Sequence, residues 1–467
     1  MNQLPNQTLE SLKTILNKYP LIIQIIKTLS QKGGRVFLVG GAVRDLLLAI
    51  PVKDLDIEVH GLTSEAVEAI LKSFGLVSLV GKIFGVFRLH GLDVDWSLPR
   101  SDTSGRKPEV TIDPFMSLKE AFRRRDLTIN AMGIDLITYE LVDPFNGYND
   151  LQNKVLHATD PNFFIEDPLR FYRVMQFIGR FQMKPDEQLN QICANMDIKN
   201  VSVERIEEEF KKLFLKSKQP SLGIEWLNQI GRLNEVLPEL ALTINVPQEY
   251  EWHPEGDVYE HTKQALDAAE NLQYDNNDDE KLILLWAALC HDLGKITTTV
   301  FVDGRLRSHG HEVESEVFAR KLLKRITRNN DLVESVCRLV RHHMQPAQLI
   351  ISNSSPAAYK RLANKLGPYV NLQMLTKLLI ADRLGRNPAK GIPLTGEVEI
   401  AQQFLNKIKE LGIEKNREEP VLHGKDIMDI VEPGPKMGKF LKDAYEIQIE
   451  EGIKEKEELK KRVLNQK

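Results

Sequence analysis

Apolar residues recur at three- and four-residue spacing through residues 1–32, which predicts one or two amphipathic helices. Residues 21–29 (LIIQIIKTL) read as the buried face of one of them, too short for a membrane span and interrupted by Lys27. Between residues 33 and 150 the pattern changes. Short β-type runs (RVFLVG, DLDIEVHG, VFRLHGLDVDWSL, AMGIDL, ELVDPF) alternate with helical stretches, predicting a small mixed sheet with helices against it. From Asn153 onward strand signals almost vanish and helical periodicity dominates, as in ERIEEEFKKLFLKS. Pro247 and Pro254 bracket a loop, after which residues 255–390 are again helical and rich in histidine. The tail holds a Pro/Gly knot, EPGPKMG, and ends in the charged helix EIQIEEGIKEKEELKKRVL. The chain is read as α+β: an N-terminal helical segment (1–32), a sheet-bearing head (33–150), a helical neck and body (151–245), a helical histidine-rich domain (246–390) and a helical tail (391–467).

A length of 467 residues exceeds what one core supports and suggests two to four domains. Apolar residues at 42% and charged residues at 27% are those of an ordinary globular protein. No apolar run and no leader-like start (MNQLPNQTLE) points to a membrane or to secretion, so a cytoplasmic setting is expected. Cys193, Cys290 and Cys337 are too scattered for a disulfide framework or a zinc ribbon, which agrees with a reducing compartment. The net charge of −4 gives no overall attraction for nucleic acid, so a polyanionic substrate must be held by local patches. KKLFLKSK and RKLLKRITR are such patches, equally readable as solvated helix faces.

One stretch concentrates the chemistry. Residues 36–58, VFLVGGAVRDLLLAIPVKDLDIE, read as a strand, a Gly-Gly turn, a helix and a second strand. Gly40 and Gly41 have no side chains, so a polyphosphate can approach the backbone N–H groups. Arg44 offers a planar, permanently charged fork for phosphate oxygens. Asp54 and Asp56, two apart on a strand, project from one face. Carboxylates held that close repel, and a hard divalent cation such as Mg²⁺ relieves the repulsion. A lone GG is a turn and a lone DxD is commonly a solvated strand end. Together in one unit they are the equipment of two-metal nucleotidyl transfer. Asp95, in the VDWSL run, is the candidate third carboxylate, with Asp93 on the same face as its rival. Residues 122–132, FRRRDLTINAM, place three arginines before a buried-looking helix. They read as a triphosphate clamp oriented by Asp126 and Asn130, or as a helix start making ion pairs.

GGAVRD, DLD, RRRDLTINAM, EDPLRFYRVMQF and VERIEEEF, in this order and spacing, resemble the bacterial class II tRNA nucleotidyltransferases, the CCA-adding enzyme and poly(A) polymerase family. The resemblance covers about residues 33–215. It implies a polymerase-β-like nucleotidyltransferase head with a helical neck and body, and addition of CTP and ATP to a tRNA 3′ end without a template. It further implies that Asp54 and Asp56 bind metal and that Gly41, Arg44 and Arg125 contact nucleotide phosphates. The family's base-selecting ED-x-x-R motif corresponds here to Glu166, Asp167 and Arg170, with Arg173 a further nucleotide contact. A carboxylate that accepts from a base amino group, beside a guanidinium that donates to the ring, imitates a pairing edge. Asp167 and Arg170, three apart, are expected as neighbours on one helix face. The polar stretch between Arg100 and Arg123 corresponds to the loop needed for the final A, and its full length implies complete CCA addition. Ala49, Ile50 and His157 depart from the usual pattern without touching the chemistry.

Residues 250–390 add HPEGDVYEHT and CHDLGK, with SHGHE, RHH and Asp382, and resemble HD-type phosphohydrolases. Imidazole and carboxylate together suit a hydrolytic divalent metal. The resemblance implies His261, His291, Asp292 and Asp382 as core ligands. His311 and His342 are expected at a second metal position, with His309 and His343 as alternatives. Hydrolysis of 2′,3′-cyclic phosphates, 2′-nucleotides or phosphomonoesters is implied. The expected whole is a bifunctional tRNA-processing enzyme. Its rivals are a poly(A) polymerase, an enzyme adding only CC or only A, and a regulatory HD phosphohydrolase whose head merely binds nucleotide.

Overall fold

The β-type runs of the first half pair into one eight-stranded sheet. Its strands are β1 (Asn2–Gln3), β2 (Arg35–Val39), β3 (Leu55–His60), β4 (Val77–Val80), β5 (Val86–Leu89), β6 (Val94–Ser97), β9 (Gly133–Asp135) and β10 (Glu140–Val142). They lie in the order β1-β10-β9-β2-β3-β6-β5-β4. β7 (Arg100–Asp102) and β8 (Val110–Ile112) form a separate antiparallel pair. This computed structural model describes residues 2–52, 54–80, 85–102, 110–388 and 398–465. Residues 103–109, the middle of the loop expected to serve the final A, lie outside the described residues. The chain divides into two units, 1–201 and 202–467.

In the first unit every pairing within the large sheet is antiparallel except β3 with β6. That one parallel pair fixes the site, because its register sets Asp56 beside Asp95. The run VFRLHGLDVDWSL is two strands rather than one, turned at Gly91, whose φ of +87° suits glycine. Residues 1–32 form helices Asn6–Asn17 and Pro20–Gln31, as the periodicity predicts. Leu12, Leu16, Ile22, Ile25, Ile26 and Leu29 share one core with Val36, Leu38, Ile57, Val59 and Trp96. The N-terminal helices are therefore part of the head's interior.

The second unit is helical, with one interruption: β13 (Val300–Val302) and β14 (Arg305–Arg307) make a hairpin in a region read as helix. Asp303 (φ +50°) and Gly304 (φ +76°) form its two-residue turn, and the Asp-Gly pair between apolar runs is its signal in the sequence. In the first unit β11 (Val155–Leu156) and β12 (Lys184–Pro185) add a short parallel pair after Asn153. The charged C-terminal stretch is two helices, Pro435–Glu451 and Lys456–Asn465, because Gly452 at φ +69° ends the first. Several basic residues of the two candidate RNA patches are paired locally: Lys211 with Glu207 and Glu208, Lys212 with Glu209, Arg325 with Glu239. All three cysteines are free and buried. Among the described residues no helix is long and apolar enough to cross a membrane.

Candidate functional site

In the head, alternation along β3 turns Leu55 and Ile57 inward and leaves Asp54 and Asp56 open to solvent. Asp54 sits one residue before the strand begins. Asp95 projects from β6 at the position paired with Asp56, whereas Asp93 precedes that strand, which favours Asp95 as the third carboxylate. Asp56 keeps an open face, yet its carboxyl is pushed up: burial of its inner side contributes most, and Asp95 and Asp54 add to it against Arg125 and Arg88. Asp95 and Asp54 lie near enough to act on Asp56 through their charge, and carboxylate oxygens are the donors that a hard divalent cation takes. Arg88, opposite Asp95 on β5, holds that carboxylate with two nitrogens, one at 3.0 Å.

Gly40 carries the turn at φ +71°, and Arg125 lies against it so closely that a Cβ there would sit 2.6 Å from Nη1. Arg125 is aimed by Glu58, 3.7 Å away, a carboxylate buried in β3 that also accepts from His60 at 2.9 Å. Burial raises the Glu58 carboxyl, but His60 and Arg125 outweigh it and hold it below its ordinary range. The sequence reading missed Glu58. Its signal was the third acid at two-residue spacing in DLDIE.

Arg44 departs from expectation. It is buried, and its guanidinium donates to Asp45 at 2.7 and 2.8 Å and to Asn130 at 2.5 Å. It also lies over the rings of Phe177 and Phe181. Arg44 thus braces the turn from behind, within 3.3 Å of where a Gly41 Cβ would be. Asp126 is buried and accepts from Leu127 N–H, from Asn130 at 2.9 Å and from Arg173 at 2.5 Å. Burial pushes its carboxyl up, but Arg173 and these hydrogen bonds prevail and hold it at about 2. Asp126 and Arg173 are therefore partners. Asp167 is not on the helix face: the helix is Leu169–Phe181, and Asp167 precedes it, accepting from Leu169 N–H at 3.1 Å. Arg170, on the first turn, donates to the carbonyls of Phe163 and Arg124.

The second unit gathers a buried cluster from five helices or helix ends. His261 lies on helix Val258–Glu270, His291 and Asp292 follow helix Asp278–Cys290, and His311 starts helix His311–Ile326. His343 follows helix Asn330–His342, and Asp382 lies on helix Leu372–Leu384. Two glycines permit the approach. A Cβ on Gly294 would lie 2.1 Å from the His311 carbonyl, and one on Gly385 would lie 2.7 Å from Ala265 N. Asp292 divides the cluster. Its Oδ2 is 3.2 Å from His291 Nε2 and 3.6 Å from His261 Nε2, while its Oδ1 is 3.2 Å from His311 and 3.9 Å from His343. Asp382 Oδ1 is 3.1 Å from His261 and 4.0 Å from His291.

The donor chemistry fits a metal. The Nδ1–H groups of His291, His311 and His343 donate to the carbonyls of Ala288, Ser308 and Val340, which turns each Nε2 toward the cluster. Burial, with His311 and His291 nearby, keeps His343 neutral by lowering it to about 3. His311 Nε2 and His343 Nε2 face each other at 3.1 Å, two ring nitrogens of the kind a divalent cation takes. Burial would raise Asp292 and Asp382, but His291 and Lys295 on the first, and Arg386 and His261 on the second, hold both carboxyls well down.

The structure groups His311 with His343 and Asp292, where the sequence led us to expect His342. Adjacent helical residues point about 100° apart, and His342 stays outside the cluster while His343 is enclosed. His309 is exposed. The sequence reading also missed Glu255, whose Oε1 is 2.7 Å from His261 Nδ1 and 2.9 Å from His253 Nδ1. The HPE beside His261 was its signal.

Residues 36–157 match the family described as poly A polymerase head domain, 185–243 the probable RNA and SrmB-binding site of polymerase A, and 258–379 the HD domain. The multifunctional CCA protein of Mannheimia succiniciproducens is 33% identical over 369 residues, covering 75% of this chain and 84% of that protein. The chain belongs to the multifunctional CCA protein family. Among solved structures, the Bacillus stearothermophilus CCA-adding enzyme in complex with CTP matches with a TM-score of 0.64 at 20% identity, over 95% of this chain and 96% of that one. The Thermotoga maritima CCA-adding enzyme complexed with tRNA matches with a TM-score of 0.56 at 21% identity, over 96% of each chain. These likenesses show the fold, a nucleotidyltransferase head with a helical body and an HD domain. Groups of histidine and carboxylate able to hold a metal ion are present in the HD region.

Proposed function

We propose that the chain adds C, C and A to tRNA 3′ ends from CTP and ATP, and that its HD unit is a metal-dependent phosphohydrolase. The observation that carries the first reading is the parallel β3–β6 register, which lines up Asp56 and Asp95 with Asp54 at the strand mouth. These three carboxylates would hold Mg²⁺, which when bound makes a 3′-hydroxyl a better nucleophile and neutralises the departing pyrophosphate. Arg125 and the backbone at Gly40 and Gly41 face the triphosphate, while Arg44, Asn130 and Asp126 keep the turn and Arg173 in place. Reading of the base by Asp167 and Arg170 requires Arg170 to exchange the Phe163 and Arg124 carbonyls for a base edge.

In the HD unit, His261, His291, Asp292 and Asp382 would hold one divalent ion and His311, His343 and Asp292 a second. Such ions supply hydroxide near neutral pH. Lys295, 2.8 Å from Asp292, places a cation where phosphate oxygens would arrive. Attack of water on a 2′,3′-cyclic phosphate breaks one P–O ester bond and leaves a monoester beside a free hydroxyl.

The test is incubation with tRNA lacking its last three nucleotides, with CTP alone, ATP alone or both. Addition of two C and one A followed by a stop is the expected result. A long A tract identifies a poly(A) polymerase, and arrest after CC or a lone A identifies a partial enzyme.

A further inference from the structure

β3 carries a third acid in step with Asp54 and Asp56, but this one is enclosed: the Glu58 side chain is 1% exposed. Alternation along the strand puts Asp56, Glu58 and His60 on one face of the sheet. That face is otherwise apolar here. Phe37, the cross-strand partner of Glu58, belongs to a cluster with Val39, Ala121, Phe122, Ala131 and Val142. A carboxylate placed there costs free energy unless both its oxygens find partners. One does, because His60 Nε2 meets Oε1 at 2.9 Å. Oε2 has no hydrogen-bond partner among the described residues. A buried, half-satisfied acid calls for an account.

Arg125 supplies it. Glu58 Oε2 lies 3.7 Å from Arg125 Nη2, and among the described residues Glu58 is the one carboxylate within ion-pair reach of that arginine. The guanidinium is bounded on other sides by the Gly40 turn and by the Phe122 ring, whose centroid is 5.6 Å away. Its side chain stays 20% exposed, which leaves an end open to a ligand. Arg125 also acts through its charge on Asp56, which is exposed. A long cationic side chain without an anchor would turn to that carboxylate and leave the turn. Glu58 anchors it from the buried side. At 3.7 Å the attraction is one of charge and not a close hydrogen bond, so it orients the guanidinium without using up its donors.

We propose that Glu58 is a positioning residue for nucleotide binding: it holds Arg125 against the Gly40 turn and so fixes the place of the triphosphate, for CTP and ATP alike. This rests on the reading of Arg125 as a phosphate contact given above.

Full-length protein is dialysed against CTP or ATP with Mg²⁺ and without tRNA, so that binding is read apart from turnover. Glu58→Gln keeps an acceptor for His60 and removes the charge, and it should weaken both nucleotides about tenfold. Arg125→Ala should weaken both at least tenfold, as loss of a charged phosphate contact requires. In the Arg125→Ala background, Glu58→Gln should add less than about twofold, because nothing is left for it to act through. Glu58→Asp keeps the charge and should lose less than Glu58→Gln; it runs the same cycle if the amide variant does not fold. Losses that multiply in the double variant, a loss confined to one nucleotide, or Glu58→Gln binding as the parent does overturns the proposal and leaves Arg125 a phosphate contact. Binding unmoved by Arg125→Ala removes that contact and the proposal with it.

Discussion

The two candidate metal sites follow opposite plans. In the head, three carboxylates stand at the ends of two strands, two of them open to water, with arginines close by. In the HD unit, four imidazoles and two carboxylates are sealed among helices, and each of His291, His311 and His343 is fixed by a backbone carbonyl. An open, all-oxygen site with few fixed ligands suits an ion that arrives and leaves with a nucleotide. A closed, nitrogen-rich site with fixed tautomers suits an ion that stays. The difference separates a site organised by its substrate from one organised by its fold.

The strongest way to break that comparison is to disable one site at a time. Asp56→Ala should lower nucleotide incorporation roughly 1,000-fold or more, since a catalytic metal supplies several kcal/mol, and leave cyclic-phosphate hydrolysis unchanged. Asp292→Ala should do the reverse. A joint fall of both activities in either variant would mean that the sites are not independent.

Next in size, His343→Ala should reduce hydrolysis about 100-fold, because even the loss of an outer partner of a metal ligand costs 10- to 100-fold. His342→Ala should stay within about twofold. Equal losses would restore His342 as the ligand. Chelation sharpens the contrast from another side. A resident ion at 100 times its dissociation constant adds about 2.7 kcal/mol. Removing it should speed amide exchange about 100-fold in helices Val258–Glu270 and Leu372–Leu384 and leave β3 and β6 as they were.

The smallest effect concerns acid. Asp126 sits at about 2 in the folded chain against an ordinary 3.8, so its contribution of roughly 2 kcal/mol is complete above about pH 4 and is lost as pH falls toward 2. Asp126→Asn should therefore be less stable than the parent at pH 7, with the gap closing near pH 2 when unfolding is followed in denaturant. A gap that does not depend on pH would assign the effect to packing.

What could be read from the sequence was local. The Gly-Gly turn, the paired aspartates of β3 and the histidine next to Asp292 are all neighbours along the chain, and each was found. What could not be read depends on how distant segments meet. The choice of Asp95 over Asp93 needed the β3–β6 register, which unites residues about forty positions apart. Arg44 read as a free fork because nothing nearby announces Asn130 or the rings of Phe177 and Phe181 behind it. His342 and His343 are indistinguishable in composition, and only the helix rotation separates them. Asp167 was read as sharing a helix face with Arg170, although Pro168 at the following position marks the helix start. Glu58 and the Asp-Gly hairpin were legible and overlooked.

The first strand and the two helices after it have a practical consequence. β1 caps the sheet by pairing with β10, and the helices after it cover the sheet's apolar side. A fragment cut to begin at residue 33 would bare both an unpaired strand edge and a greasy floor, the two features that make β proteins stick to one another. Any attempt to isolate the nucleotidyltransferase module should therefore retain every residue from Asn2, and an affinity handle is better placed elsewhere than against that edge.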